Sequence, residues 1–285
     1  MWSIGSLKAG RVWQKLQEGS YEARPARSSS THRPHVFPAV LKSHIGILIE
    51  KEIIVAFRNT REIIWLIFLT SIWVLYIAFN IIFIQSVGDS DIPTPNVEYA
   101  LYAIQILISV YFITALTLRF VLPSFSREQK TSWIILSAPI NLKKQYYGKL
   151  VAFLSIFCLL AFILIGINLS AFRISQLDTL LFVLVVLTSA ATVVVFGLSM
   201  GIIFPQFNSD NPEDLSTSLP GMFFTFLSVL IGGVGAYVFY LYLQSGETTG
   251  LILFELMMFI FAIGLARITP DFLRIFENRQ AVTVA

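Results

Sequence analysis

The chain has 285 residues, of which 56% are hydrophobic and 13% charged, with a net charge of +3 and a mean hydropathy of +0.75. Soluble domains carry about 25% charged residues, so this composition excludes an ordinary water-soluble globule. The charges sit in gaps between apolar intervals of about 20 residues, the length that crosses hydrocarbon as a helix.

The first 40 residues contain "EARPARSSSTHRPH", rich in Arg, Ser and Pro, with no apolar stretch of the kind a secretory signal needs. Glu18 and Glu22 count against an organelle transit peptide, and a solvated cytoplasmic tail or linker is expected over 1–40. His32 and His35 lie there without Cys or acidic neighbours, so no metal site is expected. In the segment 41–62, Leu41, Ile45, Leu48 and Ile49 share one helical face, with Lys42, Glu50 and Lys51 elsewhere. That pattern suits a helix lying in the membrane interface, or packed on cytoplasmic protein, before the first span.

Six spans follow, over 63–85, 99–118, 150–172, 179–204, 220–243 and 250–266. The first five contain no Asp, Glu, Lys or Arg, and the sixth contains only Glu255. Runs this long and apolar satisfy their backbone groups in lipid as helices, whereas barrel strands would be shorter and alternating. The expected fold is therefore an all-α, six-helix membrane domain over 63–276. Of the twenty Lys and Arg, ten fall in 1–62, six in 119–149 and three in 267–285; Arg173 is the remaining one. The positive-inside rule then puts both termini and the 119–149 segment in the cytoplasm. The connections 86–98, 170–178 and 244–249 face out, and 277–285 is a short C-terminal tail.

Between the second and third spans lies "SREQKTSWIILSAPINLKKQYYGKL", a basic loop with an apolar patch inside it. Ser126 with Gln129 three residues on forms a capping box for a short helix. Pro139 pushes Ala138 toward an extended conformation and ends it, and Asn141 caps a second helix running through Lys149 into the third span. A capped amphipathic helix between two spans suits docking on a cytoplasmic partner, or lying on lipid.

Later in the chain, Gly197 and Gly201 form a G-x-x-x-G, and Gly232, Gly233 and Gly235 thin the fifth span; both patterns support close helix packing. Cys158 stands alone within a span and can form no intrachain disulfide. There is no G-x-x-x-x-G-K-[ST] loop, no H-E-x-x-H and no G-x-S-x-G. No catalytic, cofactor-binding or metal-binding residue is expected, and no nucleic-acid partner. Glu255 either faces the bundle and a possible translocation path, or reaches headgroup water from near the start of its span.

Two stretches carry a family resemblance. "LRFVLPSFSREQKTSWIILSAPINLKKQYYGKL" resembles the cytoplasmic segment of ABC-2-type permeases, in particular the membrane subunits of a family of ABC exporters. The matching positions are Arg119, Phe120, Pro123, Ser126, Glu128, Trp133, Ser137, Ala138, Pro139, Gly148 and Lys149. "GIIFPQFNSDNPEDLSTSLPG" is similar to a second family motif at Phe204, Pro205, Phe207, Asn211, Pro212, Ser218 and Gly221. The resemblance covers roughly 41–276 and resembles the second half of a longer, two-half protein, so a fragment, a split subunit and a dimerising half-size form all stay open.

The resemblance implies an ABC-2-type bundle acting as the permease of an exporter, with ATP hydrolysed by a separate ABC ATPase subunit and none in this chain. It implies a second membrane half or a homodimer partner. Coupling to the ATPase would run through the segment 123–149, with Ser126, Glu128, Trp133, Ser137, Pro139 and Lys149. A secondary transporter and a non-transporting membrane scaffold are the alternatives.

Overall fold

The computed structural model describes residues 51, 54, 60–88, 95–127, 142–171, 176–204 and 217–284. The tail 1–40, most of the 41–62 segment and the stretches 128–141 and 205–216 lie outside the described residues. Six helices account for nearly all of the rest: α1 Thr60–Gly88, α2 Pro95–Phe120, α3 Leu142–Ala171, α4 Gln176–Ile203, α5 Leu219–Ser245 and α6 Thr249–Val284. A 3₁₀ turn, Leu122–Ser124, follows α2. No strand occurs among the described residues.

These segments are helical because lipid leaves no other partner for their backbone. Their hydroxyl side chains keep to the same economy by bonding carbonyls one turn back. Thr114 donates to Val110 O, Thr192 to Thr188 O, Ser199 to Val195 O and Thr225 to Gly221 O, all at 2.8–2.9 Å. Pro220 sits in the first turn of α5, where a missing N–H costs nothing. The same helix stops at Gly246, whose φ of 75° is left-handed and whose N–H reaches Tyr242 O at 2.8 Å. Only residues 246–248 separate α5 from α6.

The helix with the smallest side chains lies at the centre. α4 packs against α2, α3, α5 and α6. It buries Ser189, Ala190, Thr192, Gly197, Ser199 and Gly201 against them. Lipid tails are as apolar as Leu, so helices gain by close van der Waals approach rather than by leaving water; small residues permit that approach. α2 and α5 form the most extensive pair. There the Gly232 backbone lies against Val110. Gly235 does the same against Phe254 of α6 and Val185 of α4.

α1 is peripheral, packing chiefly on α2 and α3, with Ile64, Ile67, Phe68, Leu75 and Phe79 exposed. It runs antiparallel to α2. Near its start the Trp65 ring lies 5.1 Å from the Arg119 guanidinium, and further along the Trp73 and Phe112 rings lie 5.9 Å apart at a tilt of 35°.

Five helical stretches are long and apolar enough to cross a membrane: Tyr99–Ser124, Gln145–Ile167, Leu177–Ile203, Leu219–Ser245 and Thr249–Phe272. These stretches match five of the six expected spans. The first expected span lies in α1, where the apolar stretch among the described residues is Ile63–Phe79. α6 also continues well past the expected end of its span at 266, to Val284, with Pro270 inside it.

Candidate functional site

The densest set of polar contacts lies where α2 ends, α3 begins and α4 ends. After Phe120 the chain turns through Leu122–Ser124, with Pro123 fixing the first turn and all three residues buried. Lys149, in the second turn of α3, reaches under this turn. Its Nζ donates to the Ser124 carbonyl at 3.3 Å and lies 4.3 Å from the Phe125 ring centroid. Lys149 is 1% exposed, and a carbonyl dipole and an aromatic face are among the groups that hold its cation. Ser126 is buried beside it at 3%.

Arg127 folds back, its Nη2 donating to Arg119 O at 2.6 Å. Arg119 in turn lies over Trp65, so one basic pair ties the turn to α2 and to α1. From the other side α4 brings Gly201 directly against the Leu122 carbonyl oxygen, so closely that a Cβ there would collide with it. Four residues earlier, Gly197 meets the Thr117 methyl of α2. α6 closes the set. Thr269 shares its hydroxyl proton between Ser199 Oγ at 2.8 Å and Leu265 O at 2.6 Å, and the buried Tyr146 hydroxyl faces this pair. At the surface Lys143 pairs with Asp271 at 2.9 Å.

These residues form a brace that supplies cations, hydroxyls and close backbone contact. Among the described residues no group of three or more His, Cys, Asp or Glu could hold a metal ion.

Of the residues singled out from the sequence, the structure brings Arg119, Pro123, Ser126 and Lys149 together here. Phe204 lies just past α4 and is exposed. Glu128, Trp133, Ser137, Pro139, Pro205, Phe207, Asn211 and Pro212 lie outside the described residues. Sequence reading missed Tyr146, Ser199 and Thr269, single hydroxyls in apolar helices that announce nothing. Gly201 was visible as half of a G-x-x-x-G, but its partner, a turn backbone, was not.

Glu255 lies elsewhere, about two turns into α6. Its flank faces α4, while Ile252, Leu256 and Met257 of the same helix are exposed. Both carboxylate oxygens are sequestered without a hydrogen-bond partner. At the same end of the bundle Tyr242 donates to Asp178 Oδ1 at 2.8 Å, joining the end of α5 to the start of α4.

The fold and these contacts define a helical, membrane-type protein whose helices are braced at one end by buried polar groups. A family model matches residues 6–276, nearly the whole chain, and the protein belongs to that family, described as "Putative ATP-binding cassette". No curated protein and no solved structure matches it.

This match corrects three expectations. The family is described by the nucleotide-binding cassette, not as an ABC-2-type permease, so the ABC-2 assignment does not stand. Nor does the expectation of an exporter's permease subunit that leaves hydrolysis to a separate ATPase. With it goes the expectation that this chain is not an enzyme, because a cassette of this kind is an ATPase-type domain. Membership rests on the family match and not on a phosphate loop, since no G-x-x-x-x-G-K-[ST] occurs in the sequence.

Proposed function

We propose that the protein is an ATP-binding cassette family member held in the membrane by its own helices, working with partner subunits of a transport system. The observation that carries this is the coincidence of the family match over 6–276 with five membrane-length helices inside the same residues. The proposed setting is the cell membrane, with both termini and the 119–149 segment in the cytoplasm, as the distribution of Lys and Arg favours.

The braced end of the bundle is the proposed point at which nucleotide-driven motion enters the helices. What supports this is mechanical. A turn locked by Lys149, by Gly201 and by the Arg127–Arg119 contact moves with α2, α3 and α4 together. Displacement of the segment that follows Arg127 would therefore reach three helices at once. Glu128, Trp133, Ser137 and Pro139 of that segment are the proposed contact residues, with Trp133 as the aromatic anchor.

The test is isolation of the full chain from native membranes in mild detergent, with whatever it retains. ATP turnover by that assembly is expected, lowered severalfold by Lys149→Ala at equal membrane content. An assembly that neither binds nor turns over ATP would overturn the reading.

A further inference from the structure

Glu255 is the only acid or base in the six apolar intervals, and the structure puts it in an unusual position. α6 is the least buried of the membrane-length helices, at 17%. Most of its apolar side chains, such as Leu253, Met257 and Ile260, face outward. The carboxyl group of Glu255 does the opposite. It turns toward the flank shared with the buried Leu251, Phe254 and Met258, where neither oxygen retains accessible surface.

Among the described residues no cation stands in that pocket. Thr188 of α4 approaches it, but the Thr188 hydroxyl donates to the Leu184 and Val185 carbonyls at 2.9 and 3.2 Å. No hydrogen bond reaches either Glu255 oxygen. The helices that pack on α6 are α3, α4 and α5. α4 carries one charged residue, Asp178, ten positions from Thr188 and bound by Tyr242. α5 has no charged residue, only tyrosines such as Tyr237, Tyr240 and Tyr242 among titratable groups. On α3 the lysines, Lys143, Lys144 and Lys149, and the tyrosines, Tyr146 and Tyr147, lie at the braced end; Cys158 is its remaining titratable group. Lys143 pairs with Asp271, sixteen positions and roughly 24 Å along α6 from Glu255 at 1.5 Å per residue. The base of α6 nearest in sequence is Arg267, roughly 18 Å away on the same measure.

Burial of a carboxyl with no cation beside it and no hydrogen bond to its oxygens favours the neutral form. We propose that Glu255 is a proton-binding site: it holds its proton as a neutral carboxylic acid between α4 and α6, and releases it only when these helices part. The ligand is a proton, and the gate is the α4–α6 contact around Thr188. This goes beyond the transport reading and does not rest on it.

Apolar carbodiimides report this state, because they partition into lipid and react with protonated carboxyls. The carboxyl proton moves to one carbodiimide nitrogen while the carboxyl oxygen bonds to the central carbon, giving an O-acylisourea. Acyl migration to nitrogen then breaks the bond between the acyl carbon and that oxygen and forms an acyl C–N bond, leaving the oxygen on the central carbon as the urea carbonyl. The resulting N-acylurea holds every atom of both reactants, and nothing is oxidised or reduced.

The experiment treats native membranes containing the full chain with dicyclohexylcarbodiimide and maps adducts by peptide mass. The expected result is an adduct of the whole reagent's mass on the Glu255 peptide, slower to form as pH rises and lost in Glu255→Gln. A charged, water-soluble carbodiimide should leave the same peptide unmodified. Two outcomes overturn the proposal. One is no adduct in native membranes while detergent-unfolded protein gives one; the other is equal modification by the charged reagent. A second measurement does not depend on reagent access. The infrared carbonyl band of a protonated carboxyl should be present in the wild type and missing in Glu255→Gln, and identical spectra would also overturn it.

Discussion

Gly201 is the position at which one atom decides the packing. Its Cα lies against the Leu122 carbonyl, and backbone cannot swing aside as a side chain can. Gly201→Ala is therefore expected to cost about 1–3 kcal/mol through forced backbone shifts. Gly233, inside α5 with nothing within 4 Å of an added Cβ, is the control. Gly233→Ala should be neutral or slightly stabilising, since Gly in a helix interior costs roughly 0.5–1 kcal/mol relative to Ala. Thermal unfolding of the two variants in one detergent compares them, and equal stability would refute the close-approach reading. Lys149 is a second residue-scale case. Lys149→Met keeps most of the buried stem but deletes the donor to the Ser124 carbonyl. A bond to a charged group is worth about 1.5–3 kcal/mol, so a loss of that order is expected in the same assay. If Lys149→Met unfolds with the wild type, the cation is not part of the brace.

At the scale of elements, two cross-helix contacts separate what burial contributes from what charge contributes. Lys143 and Asp271 are 34% and 63% exposed. Exposed ion pairs measure about 0.2–1 kcal/mol, and a double-mutant cycle on this pair should stay in that range and shrink with salt. The Tyr242–Asp178 bond is more enclosed, at the junction of α4 and α5, and its acceptor sits in the first turn of α4. An acid there also meets the positive end of the helix dipole. Tyr242→Phe should cost more than breaking Lys143–Asp271 and respond little to salt; a reversed order would refute the ranking.

These elements also show what the sequence could and could not tell. Helix positions follow directly from uncharged runs between charged gaps, and the all-helical fold with membrane-length helices was legible from that alone. Which face of each helix packs inward was not. In lipid the inner and outer faces are equally apolar, so the periodicity that marks a buried face in water is missing. Lys149 read as one more cation of a basic loop, because its burial depends on a turn placed by Pro123 and on Phe125, both remote from α3 in sequence. Glu255 was legible as an oddity, but its position beside Thr188 was not. Both depend on how helices rotate against each other.

For the whole molecule the open quantity is the number of crossings, and geometry and charge argue it together. The turn after α2, the start of α3, the end of α4 and Asp271 of α6 share one end of the bundle. Asp178 and Tyr242 share the other. α2 to α6 therefore alternate in direction, and the side of one end fixes the side of the next. Six Lys and Arg in 119–149 and three in 267–285 lie on the braced side whatever α1 does, so that side is expected to face the cytoplasm. α1 decides between five crossings and six. Among the described side chains its apolar stretch is Ile63–Phe79, and the helix has 29 residues, roughly 43 Å at 1.5 Å each, against a hydrocarbon core of about 30 Å. It runs antiparallel to α2, with Trp65 beside Arg119 at the braced end and Trp73 beside Phe112 deeper in. We therefore predict that α1 crosses. With Cys158 replaced, single cysteines at Asp91 and Thr248 should react with an impermeant thiol reagent on intact cells. Cysteines at Lys143, Asn211 and Arg279 should react only after the cells are opened. A cysteine at Arg61 carries the decision: protected in intact cells, it counts six crossings. Labelled from outside while Lys143 stays protected, it counts five and leaves α1 lying along the outer face; labelling of Lys143 from outside would invert the whole arrangement.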